Sequence, residues 1–89
     1  MVRSKSELAI ANHLFDQGIP YKYEWPYIGE AEEGRVLPDF SFETADGDTI
    51  IWEHLGLLHK PGYREAWERK KKWYEINGFV VGETLFMTR

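Results

Sequence analysis

Apolar residues recur at helical spacing near the start of the chain, at Leu8, Ala11, Leu14 and Phe15. Just before them, Ser4 and Glu7 form an S-x-x-E capping box, in which the Ser4 side chain accepts from the Glu7 amide and Glu7 reaches back to that of Ser4. Gly18 is a C-terminal stop, so the pattern predicts a first helix ending there. Residues 21–28 are aromatic and alternating and predict a strand broken late by Pro26, and residues 29–34 predict a polar acidic loop. Two apolar runs follow, residues 36–44 and 49–55, joined by Ala45-Asp46-Gly47-Asp48; Asp-Gly between apolar runs is a hairpin signal. Residues 61–77 predict a second helix, with Pro61 in its permitted first turn, Gly78 past its end, and Tyr63, Ala66, Trp67, Trp73 and Tyr74 on its apolar face. Residues 84–88 predict a last strand. The order α-β-β-β-α-β implies an α+β or α/β sandwich, with helices packed on a small mixed sheet.

Composition narrows the class. The 89 residues fit a single domain, 1–89, and 43% hydrophobic with 16% aromatic residues excludes a disordered chain. A domain this small buries only roughly 60–65% of the surface of its unfolded chain, so its core must be compact. The absence of cysteine excludes disulfide frameworks and thiolate metal sites. Eleven basic against fifteen acidic residues, net −4, argue against binding nucleic acid by bulk charge but leave room for a local basic face. There is no apolar stretch of signal-peptide length and no run near the ~18 residues of a membrane span, so the expectation is a soluble, cytoplasmic protein.

The chemistry lies in polar residues on apolar surfaces. Glu7 shares a helical stripe with Ile10, Ala11 and Leu14; the capping box alone is one account of it. Glu53 falls in a run that is apolar on both faces, Ile50 to Leu55, and so reads as buried; an unpaired charge there would cost several kcal/mol. A salt bridge to a core-facing Arg or Lys is its plain structural reading. Asp39, after Pro38, would by itself be a solvent-facing residue at a strand end. The hairpin register links the two acids. If Ala45-Asp46-Gly47 is a three-residue loop with Gly47 in the left-handed conformation, Thr44 faces Asp48 and Asp39 faces Glu53, with Cβ atoms ~5 Å apart. A two-residue turn would slip the register by one and separate them onto opposite faces. Carboxylates that close repel unless a cation lies between, and Mg²⁺ favours such hard oxygen ligands. On the second helix, Lys70 stands three residues from both Trp67 and Trp73, on the aromatic stripe, whereas Lys71 and Lys72 rotate toward solvent. Lys70 is either a snorkelling lysine that covers ring faces or a cation held beside the acids.

Arg3-Ser4-Lys5-Ser6-Glu7, Pro38-Asp39-Phe40, Trp52-Glu53-His54-Leu55-Gly56 and Trp67-x-x-Lys70-x-x-Trp73-Tyr74, in this order, resemble the PD-(D/E)XK nuclease superfamily. Within it they look like the compact nuclease domains found alone or fused to UvrD-type helicases. The resemblance covers essentially the whole chain. It implies a restriction-endonuclease-like core and a Mg²⁺- or Mn²⁺-dependent endonuclease acting on DNA. In that reading Glu7, Asp39 and Glu53 hold the metal together with the His54 carbonyl, and Glu7, Asp39, Glu53 and Lys70 are catalytic. The family's lysine usually stands two residues after the strand glutamate, where this chain has Leu55; Lys70 is the natural substitute. Lys70-x-x-x-Tyr74 is also similar to the Gln-x-x-x-Tyr helix motif of RecB-type nucleases, which places Tyr74 near a phosphate oxygen, while a core tyrosine is its other reading. If Lys70 points elsewhere, the domain is a catalytically inactive module that binds nucleic acid or a partner protein.

Between Lys60 and Lys72 six basic residues stand against Glu65 and Glu68, a local net of +4. With Arg3 and Lys5 at the first helix's N-terminus, Arg69 and Lys71 would track a DNA backbone, or else form an ordinary solvated helix face. Besides DNA, the expected partners are a second copy of the chain, through an aromatic first-strand edge, or an associated helicase or other DNA-processing protein. A histidine metal site is disfavoured, because His13, His54 and His59 lie on three different elements.

Overall fold

The computed structural model describes residues 5–29, 34–56 and 58–89. The Ser4 half of the capping box, Arg3 with its expected phosphate contact, and most of the acidic loop lie outside the described residues.

Two helices flank a four-stranded mixed sheet. The elements are α1 (Lys5–Asp16), β1 (Lys22–Tyr23), β2 (Tyr27–Ile28), β3 (Arg35–Val36), β4 (Phe40–Glu43), β5 (Thr49–His54), α2 (Pro61–Ile76) and β6 (Leu85–Thr88). The sheet runs β1-β4-β5-β6, with β1, β4 and β5 antiparallel and β6 parallel to β5. A parallel pair needs a crossover of helical length, and α2 supplies it. The fold is α+β, as expected.

The three-residue loop is the one the chain forms. Thr44 N–H donates to Asp48 O at 2.9 Å, Gly47 N–H to Thr44 O at 3.0 Å, and Gly47 takes φ 87°. Phe40 therefore faces Trp52 and Ser41 faces Ile51. Alternation along β5 then builds two cores. Ile51 and Leu55 pack with Trp67, Tyr74, Phe79 and Leu85 beneath α2, whereas Trp52 joins Phe40 and Phe42 against Ile10, Ala11 and Leu14 of α1. Both helices stop at the predicted glycines, Gly18 (φ 69°) and Gly78 (φ 92°). After α2, Gly78 N–H bonds Glu75 O and Phe79 N–H bonds Tyr74 O, the paired bonds of a Schellman motif. The Phe79 ring lies 5.5 Å from that of Tyr74, which pins the tyrosine in place.

The strand expected over residues 21–28 forms as two short ones in different sheets. β1 joins the main sheet, while β2 pairs with β3 in a separate ribbon. Glu24, at φ 50°, and Pro26 turn the chain between them. The strand expected over 36–44 divides likewise into β3 and β4 at Leu37-Pro38-Asp39, where Pro38 has no N–H to give a ladder. Leu8 and Phe15 are exposed, and α1 buries Ile10, Ala11 and Leu14 instead. Ala66 is exposed, and Tyr63 and Trp73 are half-buried. Among the described residues no helix is long and apolar enough to cross a membrane.

Candidate active site

Beyond Phe40 the β4 ladder gives way, and β5 must satisfy its next inward N–H by other means. The hairpin's bonding alternation directs the amides of even-numbered β5 residues toward β4, while Ile51 and Leu55 donate to the β6 side, to Thr84 O and Thr88 O. The His54 N–H is captured by Asp39 Oδ2 at 2.7 Å. Asp39 is thereby fixed beside Glu53, at the sheet end where the register expected it.

Glu53 is 3% exposed, and its Oε1 receives both Lys70 Nζ, at 2.6 Å, and the Tyr74 hydroxyl, at 2.8 Å. Lys70 and Tyr74 are one helical turn apart on α2, so a single face of the helix brings a cation and a neutral donor to the same oxygen. Lys70 Nζ also donates to Leu37 O at 3.2 Å, tying α2 to the segment that carries Asp39. Asp39, Glu53, Tyr63, Ala66, Trp67 and Lys70 line a pocket of about 230 Å³. The Tyr63 hydroxyl reaches the His54 carbonyl at 3.5 Å.

Burial pushes both carboxyls above the usual carboxylate range. For Asp39 the His54 N–H and Lys70 counteract this, while Glu7 and Glu24 add to it. For Glu53, Lys70 and Tyr74 counteract it and Asp39 adds to it. Tyr63 and Tyr74 are raised as well, by burial and by the acids they face. The site is an acidic cluster with Lys70 as its cation. Each acid is anchored through one oxygen; the other, Oδ1 of Asp39 or Oε2 of Glu53, has no hydrogen bond or ion pair among the described residues.

Glu7, half-buried on α1, accepts from the Tyr23 hydroxyl at 3.2 Å and is felt by Asp39 and Tyr63 through space. Among the described residues no three His, Asp or Glu side chains are gathered closely enough to hold a metal ion. The two acids share a pocket while Glu7 stands back on the other helix. The His54 ring turns to the opposite face, with Nδ1 3.0 Å from Thr88 Oγ1, so only its main chain serves the pocket; His13 and His59 are exposed elsewhere.

Of the expected DNA-contacting residues, Lys5 and Arg69 are exposed and Lys71 is half-buried beside a second cavity. Tyr74 is a correction. It is fully buried with its hydroxyl committed to Glu53, so it positions the acid and touches no phosphate. Leu55, where the resemblance expects a lysine, is 5% exposed within the α2 core. Tyr63 and Trp67 line the pocket although in the sequence they read as core, because aromatics at helical spacing usually pack inward. The stripe Tyr63-Trp67-Lys70-Tyr74, with a lysine in its middle, was the signal.

Over 81 residues, 90% of its length, the chain is 40% identical to the uncharacterized protein MJ1519 of Methanocaldococcus jannaschii. It spans 7% of the length of that far longer relative. No family model matches the chain, and no solved structure matches it.

Proposed function

We propose that the domain hydrolyses phosphodiester bonds of DNA as a divalent-metal-dependent endonuclease. The observation that carries this reading is the lysine from α2. Its ammonium lies 2.6 Å from Glu53 Oε1, in the pocket that Asp39 also lines, which supports reading Lys70 as the substitute for the lysine that Leu55 replaces.

The residues present fit a hard cation. Two carboxylates share a pocket, each held by one oxygen with the other uncommitted among the described residues, and burial and mutual repulsion penalise their negative charge. Asp39 and Glu53 would hold Mg²⁺ or Mn²⁺ with the His54 carbonyl, and Glu7 would add negative potential from α1. When bound, such an ion supplies Lewis acidity toward the phosphate and acidifies a coordinated water. The chain's own residues do the rest. Tyr74 and Lys70 clamp Glu53 in one orientation, and the His54 amide clamps Asp39. Lys70 stands ready to offset charge that develops on a phosphate oxygen. Tyr63 offers a hydroxyl at the pocket wall, and Trp67 forms an apolar part of that wall.

A second reading, a catalytically inactive nuclease-fold module that binds nucleic acid or a protein, draws on the same ion pair, because a lysine engaged by Glu53 also serves as plain structural compensation. Nicking of supercoiled plasmid by the wild type, Asp39→Asn, Glu53→Ala and Lys70→Ala, in Mg²⁺, Mn²⁺ and EDTA, separates the two. Metal-dependent nicking that falls by at least a hundredfold in all three variants, with each folded by circular dichroism, is the expected result. Binding without nicking by the wild type, on plasmid, single-stranded and branched DNA, would establish the inactive module.

A further inference from the structure

A cavity of about 410 Å³ adjoins the acid pocket, with Trp67 as the wall common to both. Its lining carries Arg64 and Lys71 from α2 and Arg89 just beyond β6, with Glu68 as the opposing charge. Arg64, Glu68 and Lys71 lie on one stripe of α2, at spacings of four and three. Arg89 arrives by topology. The parallel pairing of β6 with β5 brings the C-terminal ends of both strands to the sheet end that holds Glu53. Met87, which lines this cavity, is the ladder partner of Glu53, which lines the acid pocket, so adjacent strands contribute one residue to each hollow.

Three cations face one acid there, and among the described residues none of them is in an ion pair, with Glu68 or any other carboxylate. Arg64 Nε donates to Leu58 O at 3.2 Å, which steadies the side chain without neutralising it. Like charges gathered around a concave wall disfavour one another unless an anion joins them.

We infer that this cavity is a phosphate subsite. It holds a non-reacting phosphate of the same DNA strand whose scissile phosphate occupies the acid pocket, and Arg64, Lys71 and Arg89 supply the contacts. The inference rests on the proposed nuclease reading for the identity of the anion. It assigns strand-positioning roles to Arg64 and Arg89 and distinguishes Lys71 from its neighbour Lys72, which is exposed and lines neither hollow. Glu68 weakens the contact and keeps the subsite from retaining product.

The test is equilibrium binding of fluorescein-labelled duplex and single-stranded dodecamers, followed by anisotropy in EDTA across a salt series, so that no cleavage is needed. Arg64→Gln, Lys71→Gln and Arg89→Gln are each expected to weaken binding several-fold, and together they lower the slope of log K against log salt by about one, the signature of one lost phosphate contact. Lys72→Gln, with the same charge loss as each single variant, leaves both the affinity and the slope as they are. Glu68→Gln tightens binding more than Glu75→Gln, a gain that damaged folding cannot imitate. Equal effects of Lys72→Gln and Lys71→Gln would overturn the subsite in favour of diffuse charge, as would absence of binding by the wild type at low salt. The nuclease reading fails separately: slope changes without plasmid nicking keep the subsite and remove the catalysis, whereas unaltered binding with intact nicking does the reverse.

Discussion

Glu53 concentrates the electrostatics of the acid pocket at a single residue. A carboxylate 3% exposed costs several kcal/mol unless compensated, and Lys70 and Tyr74 provide the compensation at one oxygen. Removing the Tyr74 hydroxyl leaves the ring's packing in place and withdraws a bond to a charged acceptor. Tyr74→Phe is therefore expected to destabilise the protein by about 1.5–3 kcal/mol in urea unfolding at neutral pH. Burial raises the Glu53 pKa in the folded state above its ordinary 4.5, so the folded protein holds this proton more tightly than the unfolded chain. The resulting stability is fully present below pH 4.5 and is lost as pH rises through the folded value. In EDTA, the urea midpoint of the wild type should rise on acidification from neutrality toward that limit. Glu53→Gln should show a shallower rise, with the remainder from Asp39, whose shift has the same sign. Equal slopes for the two proteins would show that Glu53 titrates normally.

At the scale of elements, the β4–β5 hairpin decides whether a site exists. Only the three-residue loop puts Asp39 and Glu53 on the α2 face, since a slip of one residue sends one acid to α1. Gly47, at φ 87°, makes that loop possible, with nothing near its Cβ position to crowd a side chain. The cost of Gly47→Ala is thus purely conformational, about 1–2 kcal/mol by chemical denaturation, and Gly47→Asn should cost less because asparagine tolerates the left-handed region. A destabilisation near zero would mean that the loop has another conformation in solution. The same logic holds for α2, whose Schellman ending sets Phe79 edge-to-face against Tyr74 and so indirectly orients Glu53.

For the whole molecule, the net charge of −4 and the paired acids predict that divalent cations stabilise the fold. A cation bound only by the native state contributes about 2.7 kcal/mol at a hundredfold excess over its Kd. For a domain of this size that corresponds to a rise in Tm of roughly 10 °C or more. Mg²⁺ or Mn²⁺ should produce this rise in the wild type, NaCl of equal ionic strength should not, and Asp39→Asn should abolish it. A rise that survives Asp39→Asn would place the ion elsewhere. Calorimetric Mn²⁺ titration of the two proteins gives the same comparison independently of folding.

What the amino-acid order determined by itself was the local physics. Two helices and their glycine stops, the hairpin, and the placement of Lys70 among aromatics all follow from periodicity and turn chemistry over a few residues. The choice between a two- and a three-residue turn, and with it the register, is settled only in the folded hairpin. Tertiary structure decided whatever depends on partners distant in the chain. Pro26 and Pro38 are visible as breaks, but the assignment of β1 and β2 to different sheets is a matter of packing. Leu8 and Phe15 have helical spacing yet remain exposed, because the α1 core accepts only the stripe of Ile10, Ala11 and Leu14. Tyr74 reads in the sequence as a core residue first and a phosphate ligand second, and neither reading names Glu53, 21 positions earlier, as the partner of its hydroxyl. Arg89 joins Arg64 and Lys71 only because β6 runs parallel to β5, and long-range strand pairing leaves no mark in local spacing.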